Sequence, residues 1–294
     1  MSRRPYAYDI VDVFTSEPLQ GNALAVFPDA RGLDGDTMQS VAREFNLAET
    51  AFVLPPERAD HAARVRIFTP TMEMRFAGHP TIGTSFVMRE RGLVARDADR
   101  FVLGEGIGDV PIRVERGTPD ILWLTTPPIS FGATFPREVC AEALGLAPDD
   151  LLDIEPQLVR AGNPNVYIAV RDADAVDRAW IDLAGVRALH GGSSSADCIF
   201  VFTPTASGAY SRMFAPEHGV VEDAATGSAT GPLAAFMMRH GLAPSADGTR
   251  FTSEQGAKMK RRSFLHVNVR GAHGSEGIEV GGSSVRVASG EMLL

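Results

Sequence analysis

The chain has 294 residues, 44% of them apolar and 22% charged, which is ordinary for a globular protein and long enough for two domains with separate cores. Its formal net charge of −9 argues against a nucleic-acid backbone or an anionic membrane surface as partner, because both demand concentrated Lys and Arg. The only two cysteines, Cys140 and Cys198, show no CxxC or other ligand spacing and read as buried free thiols.

Taken in chain order, Tyr8 to Phe14 alternates apolar and polar residues as a strand does, and the Pro18 to Asn22 turn leads into a second strand, Ala23 to Phe27. Met38, Val41, Ala42 and Phe45 recur at helical spacing, which predicts a helix from Asp36 to Phe45 capped by Asp34 or Asp36. A strand at Ala51 to Leu54 follows. Phe68-Thr69-Pro70 ends another extended stretch, and Gly78-His79-Pro80 opens a helix of small residues that stops at Gly92-Leu93. Two strands flank Gly104-Glu105-Gly106-Ile107-Gly108. That turn superficially matches a dinucleotide fingerprint, but a strand and not a helix follows it, so it reads as a hairpin.

The second half repeats the plan. A strand at Leu122 to Thr125, a Pro127-Pro128 break, a helix from Arg137 to Leu144 and strands near Val166 to Val170 and Cys198 to Phe202 precede Phe214-Ala215-Pro216. Thr226-Gly227-Ser228 then opens a second small-residue helix that stops at Gly241-Leu242. The two glycine pairs, Gly78 with Gly92 and Gly227 with Gly241, are each 14 residues apart. Strands outnumber helices and each half holds one long helix, so an α+β fold of two pseudo-equivalent domains is expected. The expected division is an N-terminal lobe over residues 1–118, joined by a returning strand at about 284–294, and a C-terminal lobe over 119–283.

The repeated helix starts are the first candidate site. A glycine there removes side-chain bulk where free backbone N–H groups point outward, and two such starts suit a dicarboxylate or an amino-acid-like ligand. The ordinary alternative makes Ser228 an N-cap and Pro80 a helix-start proline. Gly83 and Gly231 inside the first turns ask for a further reason, since a helical glycine costs about 1 kcal/mol.

Glu49 is the strongest candidate for chemistry. It stands at the entrance of a strand among apolar neighbours, where lost hydration raises a carboxyl's pKa toward the range for taking and giving a proton, although an edge-strand glutamate facing water is the commoner case. His79 is a possible proton shuttle or hydrogen-bond donor. Glu222 and Asp223 precede the second helix, where a carboxylate caps a helix, orients an ammonium or acts as a second proton carrier. The other histidines show no metal spacing, so no metal is predicted. Neither an apolar leader nor a membrane-length apolar run is present in the sequence, so a cytoplasmic location is expected.

Several segments together resemble one family: Gly21-Asn22-Ala23-Leu24-Ala25-Val26-Phe27, Asn46-Leu47-Ala48-Glu49-Thr50, Phe76-Ala77-Gly78-His79-Pro80, Val221-Glu222-Asp223-Ala224-Ala225-Thr226-Gly227-Ser228 and Glu254-Gln255-Gly256. These are similar to the PhzF-like phenazine-biosynthesis family, which shares the diaminopimelate-epimerase-like fold. The resemblance implies a cofactor-free isomerase, usually a homodimer, with its site between two lobes. In the phenazine enzyme the substrate is trans-2,3-dihydro-3-hydroxyanthranilate, and the glutamate matching Glu49 moves a proton between ring carbons. By the same match Glu49, His79 and Asp223 are expected to be catalytic, with Gly78, Thr226, Gly227 and Ser228 holding the substrate. Related epimerases carry a catalytic cysteine at each glycine turn; Ala77 and Thr226 stand there in this chain, which excludes a two-thiol racemase. Ala48 replaces a serine found in many relatives, and Lys260-Arg261-Arg262-Ser263 departs from a Gly-Arg-Pro-Ser pattern. The rival readings are a hydrolase using Ser228 with His79 and Asp223, and a non-enzymatic binder of an acidic metabolite.

Overall fold

A computed structural model describes residues 4–193, 195 and 197–294. It separates into two units, Met1–Thr125 with Gly281–Leu294, and Thr126–Val280.

The first unit contains β1 (Pro5–Val13), β2 (Asn22–Phe27), α1 (Gly35–Phe45), β3 (Glu49–Leu54), β4 (Ala63–Phe68), β5 (Glu73–Met74), α2 (Gly78–Glu90), β6 (Arg100–Glu105), β7 (Gly108–Glu115) and β8 (Ile121–Thr125). β1 pairs antiparallel with β2 and with the C-terminal strand Ser284–Leu293. β2 and β3 are parallel, β3 and β4 antiparallel, and β4 and β6 parallel. The division falls after Thr125 and not after residue 118, because β8 continues the antiparallel pairing of β7, Ile112 opposite Leu124.

Local chemistry explains the path into β3. Asp34 caps α1 by accepting from the Thr37 N–H at 2.8 Å, and Asn46 ends it in the left-handed region at φ 51°. Asn tolerates that conformation better than most residues, so the chain reverses within Asn46-Leu47-Ala48 and enters the sheet at Glu49. The apolar face of α1, Met38, Val41 and Ala42, packs with Phe27, Phe52 and Phe68, and the Phe27 and Phe52 rings stack at 5.0 Å.

The second unit contains β9 (Ser130–Thr134), α3 (Arg137–Ala143), β10 (Gln157–Ala161), β11 (Asn163–Ala169), α4 (Ala173–Arg178), α5 (Leu183–Leu189), β12 (Cys198–Thr205), β13 (Gly208–Ala215), β14 (Val220–Asp223), α6 (Gly227–Arg239), β15 (Arg250–Gln255), β16 (Ser263–Arg270) and most of β17 (Gly277–Gly282), whose last two residues are assigned to the first. Its pairing pattern repeats that of the first: β11 and β12 parallel, β12 and β13 antiparallel, β13 and β15 parallel. The fold is α+β, with a long buried helix in each unit.

Both long helices lie in the core along most of their length, with every residue of Gly78–Ser85 and of Gly227–Ala234 buried. That burial accounts for the helical glycines. A Cβ on Gly83 would stand 2.7 Å from Leu24 Cδ2 and from Val13 Cγ2, and one on Gly231 would stand 2.2 Å from Thr126 Oγ1. Gly231→Ala is therefore expected to destabilise by roughly 1–2 kcal/mol, since overpacking outweighs the gain in helix propensity. A urea midpoint that rises in this variant would show that the helix is free to shift.

Among the described residues, no helix is long and apolar enough to cross a membrane. Cys140 and Cys198 are both buried, which pushes each thiol up to about 12 and keeps it protonated at neutral pH.

Candidate active site

The starts of α2 and α6 differ from those of the other capped helices. Asp34, Asp172 and Asp182 each cap α1, α4 and α5 through a side-chain oxygen, whereas the N-cap residues of α2 and α6, Ala77 and Thr226, make no such bond. Gly78 and Gly227 are the first helical residues, and the N-cap position falls on Thr226, so Ser228 is not the cap that its sequence position suggested. First-turn N–H groups have no acceptor within their own helix, and their dipoles favour an anion.

In the first unit, β3 and α2 bring Glu49 and His79 together. Glu49 is the first residue of β3, opposite Leu24 of β2, and His79 is the second residue of α2. Glu49 Oε2 lies 3.3 Å from His79 Nε2, with the glutamate side chain 17% and the histidine side chain 4% exposed. Asn22, the first residue of β2, places its amide nitrogen 3.3 Å from His79 Nδ1. An amide nitrogen only donates, so Nδ1 accepts and the ring proton sits on Nε2, facing Glu49.

Close approach of a histidine and a carboxylate invites an ion pair, but burial decides otherwise. Loss of hydration pushes the His79 ring down to about 3, and 3.3 Å is long for a charge-assisted hydrogen bond. His79 is thus neutral and not an imidazolium. Because the folded state holds this ring neutral while an unfolded histidine titrates near 6.5, its contribution to stability is fully present above that pH and is lost as pH falls toward 3. The ¹⁵N shifts of His79 are expected to report the neutral Nε2–H form down to about pH 5; a charged ring there would contradict the assignment.

In the second unit, alternation along β14 sends Glu222 and Asp223 to different partners. Glu222 takes a two-pronged ion pair from Arg212, with Nε to Oε1 at 2.9 Å and Nη2 to Oε2 at 2.8 Å. Asp223 Oδ2 accepts from the Thr226 hydroxyl at 2.6 Å. Gln255 closes this arrangement: its Nε2 donates to Asp223 O at 2.8 Å and to Thr226 Oγ1 at 3.0 Å, and its Oε1 accepts from Thr226 N–H at 3.2 Å. The Thr226 hydroxyl is therefore engaged internally, where it orients Asp223. Ser228 is the second residue of α6 and is buried.

Residue patterns alone do not single out Asn22 and Gln255, although both stand in segments that carry the family resemblance. Each is polar and fully or nearly buried, and each is fixed by strand pairing with sequence-distant neighbours. On the other side of the register at Gln255, Ser263 Oγ donates to Arg261 O in the departing Lys260-Arg261-Arg262-Ser263 segment.

Residues 11–290 match the family described as phenazine biosynthesis-like protein. A Pseudomonas aeruginosa protein named trans-2,3-dihydro-3-hydroxyanthranilate isomerase is 38% identical over 98% of this chain and 100% of its own length. A Bacillus anthracis structure titled as a phenazine biosynthesis protein of the PhzF family superposes with a TM-score of 0.88 at 26% identity, covering 99% of this chain and 100% of that one. A hydroxyproline epimerase from Agrobacterium vitis shares the fold, with a TM-score of 0.65 at 15% identity over 100% of this chain and 94% of that one.

Proposed function

We propose, for a chain that belongs to the phenazine biosynthesis-like family and is an isomerase, that Glu49 is the general acid/base. Its carboxylate removes a proton from a carbon next to an unsaturated or carboxyl-bearing centre of a small carboxylate and returns it to another carbon of the same molecule. The observation that carries this reading is the start of α2: a helix without a side-chain cap, whose second residue holds a neutral imidazole 3.3 Å from a half-buried carboxylate. The uncapped N–H groups of Gly78 and His79 suit the substrate carboxylate and the charge that develops as the C–H bond breaks. His79 Nε2, 3.3 Å from Glu49 Oε2, packs a neutral polar group against the carboxylate and limits where it can move. Within the second unit, Asp223, oriented by Thr226, and the first-turn amides of Gly227 and Ser228 form a polar cluster at the start of α6.

The substrate class follows from the relative's printed name, and trans-2,3-dihydro-3-hydroxyanthranilate is the first compound to test. A cytoplasmic homodimer needing no cofactor belongs to the same reading. Proton NMR in deuterated water, screening that compound beside small amino and hydroxy acids, is expected to show isomerisation with loss of one carbon-bound proton signal. Binding without any isotopic or positional change across the whole screen would favour a metabolite-binding protein. A stable covalent adduct of Ser228 with a fluorophosphonate would favour a hydrolase.

A further inference from the structure

The internal repeat extends beyond the helix starts. Arg66 on β4 makes a two-pronged ion pair with Glu73 and lies 5.1 Å from the Phe68 ring centroid; Arg212 on β13 makes one with Glu222 and lies 4.7 Å from that of Phe214. Thr81 and Thr230 each turn a hydroxyl back on the N-cap carbonyl, of Ala77 at 2.7 Å and of Thr226 at 3.0 Å. β6 and β15 both begin Arg-Phe, run parallel to β4 and β13, and end on Glu105 and Gln255. A glycine follows each, and its Cβ would collide with the loop ahead of the long helix, Gly106 with Arg75 Cα at 2.9 Å and Gly256 with Ala224 O at 2.6 Å. Glu105 is therefore the first unit's counterpart of Gln255.

The Gln255 amide secures the start of α6 through Thr226. Glu105 reaches the start of α2 through Thr81, whose Oγ1 lies 2.7 Å from Glu105 Oε1 as well as 2.7 Å from the Ala77 carbonyl. A hydroxyl carries one proton, and a carbonyl only accepts. For both bonds to exist, the Thr81 proton goes to Ala77 O and the proton on the other bond comes from the carboxyl. We propose that Glu105 is held as the neutral acid, a positioning residue that donates to Thr81 Oγ1 and clamps the turn carrying His79, as the neutral Gln255 amide does for α6.

The surroundings agree. Glu105 is buried, and its Oε2 has no hydrogen-bond partner among the described residues, which a carboxylate oxygen tolerates far less well than an acid carbonyl. It lines a cavity of about 360 Å³ whose charged groups neutralise one another: Arg64 with Glu57, Arg66 with Glu73, and Asp109 with Arg58. Arg75 donates to Gly106 O. Burial, opposed only by the Thr81 bond, pushes Glu105 up to about 8.

The link to catalysis rests on the isomerase reading, whereas the charge state does not. A glutamate with a folded pKa above its unfolded 4.5 keeps a proton that the unfolded chain releases, so its stabilising effect is present below 4.5 and is lost as pH rises to about 8. Urea unfolding of wild type and Glu105→Gln across this window tests it. The ratio of their unfolding constants, wild type over variant, is expected to rise by up to about tenfold per pH unit and to flatten above about pH 8; a constant ratio overturns the proposal. Should the variant not fold, wild type labelled at glutamate ¹³Cδ must still show a carboxyl titrating near 8, and its absence is equally fatal. In the exchange assay, Glu105→Gln is expected to keep a larger fraction of its own pH 7 rate at about pH 9 than wild type does. Equal fractions would refute the positioning role. Wild type inert at every pH would sink the isomerase reading, with the unfolding ratio still deciding the charge state.

Discussion

Glu49→Gln is expected to lower turnover by about 10²–10⁴-fold while substrate affinity changes by no more than a few-fold. The amide nearly matches the carboxyl in shape and keeps the entrance of β3 intact, but it has no basic oxygen able to take a proton from carbon. The helix-start amides that suit the substrate carboxylate belong to α2 and are untouched by the change. Binding is therefore expected to survive the loss of chemistry. A parallel loss of affinity and rate would mean that Glu49 holds the ligand, and full turnover would mean that the proton travels by another group. Calorimetric titration and NMR exchange on one preparation separate these outcomes.

Arg212→Met is expected to destabilise the protein by about 3–5 kcal/mol. Its side chain is 5% exposed and that of Glu222 9%, so removing the guanidinium strands a buried carboxylate. Arg212 Nη1 also lies 3.2, 3.2 and 2.6 Å from the carbonyls of Val176, Asp177 and Ala179 at the end of α4, which lose this donor. The counterpart pair in the first unit is wetter, with Arg66 21% and Glu73 42% exposed, and Arg66→Met is expected to cost only about 0–1 kcal/mol. Replacing Glu222 by Leu together with Arg212→Met should recover much of the loss, because the penalty lies in the orphaned charge and not in the absent attraction. Urea unfolding of the three variants checks the order. Since Glu222 precedes Asp223 on β14, Arg212→Met is also expected to loosen the Asp223–Thr226 bond.

The repeat was legible because it is local. Phe-x-Pro, the glycine at the helix start and the Gly-Leu stop lie within short windows of both halves, and Glu49 and His79 sit inside such windows. What escaped is set by distance and by unequal spacing. Arg66 and Arg212 stand at the same place before their phenylalanines, but their glutamates follow at separations of 7 and 10 residues, which hides the matched ion pairs. Asn22 reaches His79 across 57 residues through the pairing of β2, and Gln255 reaches Thr226 across 29 through β15. Serine favours the N-cap, which points to Ser228, yet the helix begins at Gly227 and Thr226 takes the cap position without capping. The family resemblance supplied roles that residue patterns left open, and the structure brings Glu49 and His79 within reach of each other.

The account depends on a carboxylate at position 49 carrying the proton. Its most direct test is chemical rescue of Glu49→Gly by added formate, acetate and related small acids, with the substrate identified by the exchange screen. The rescued rate is expected to rise with acid concentration and with the basicity of the carboxylate, while wild type stays indifferent. A variant that binds the substrate yet gains no turnover from any carboxylate would contradict the claim.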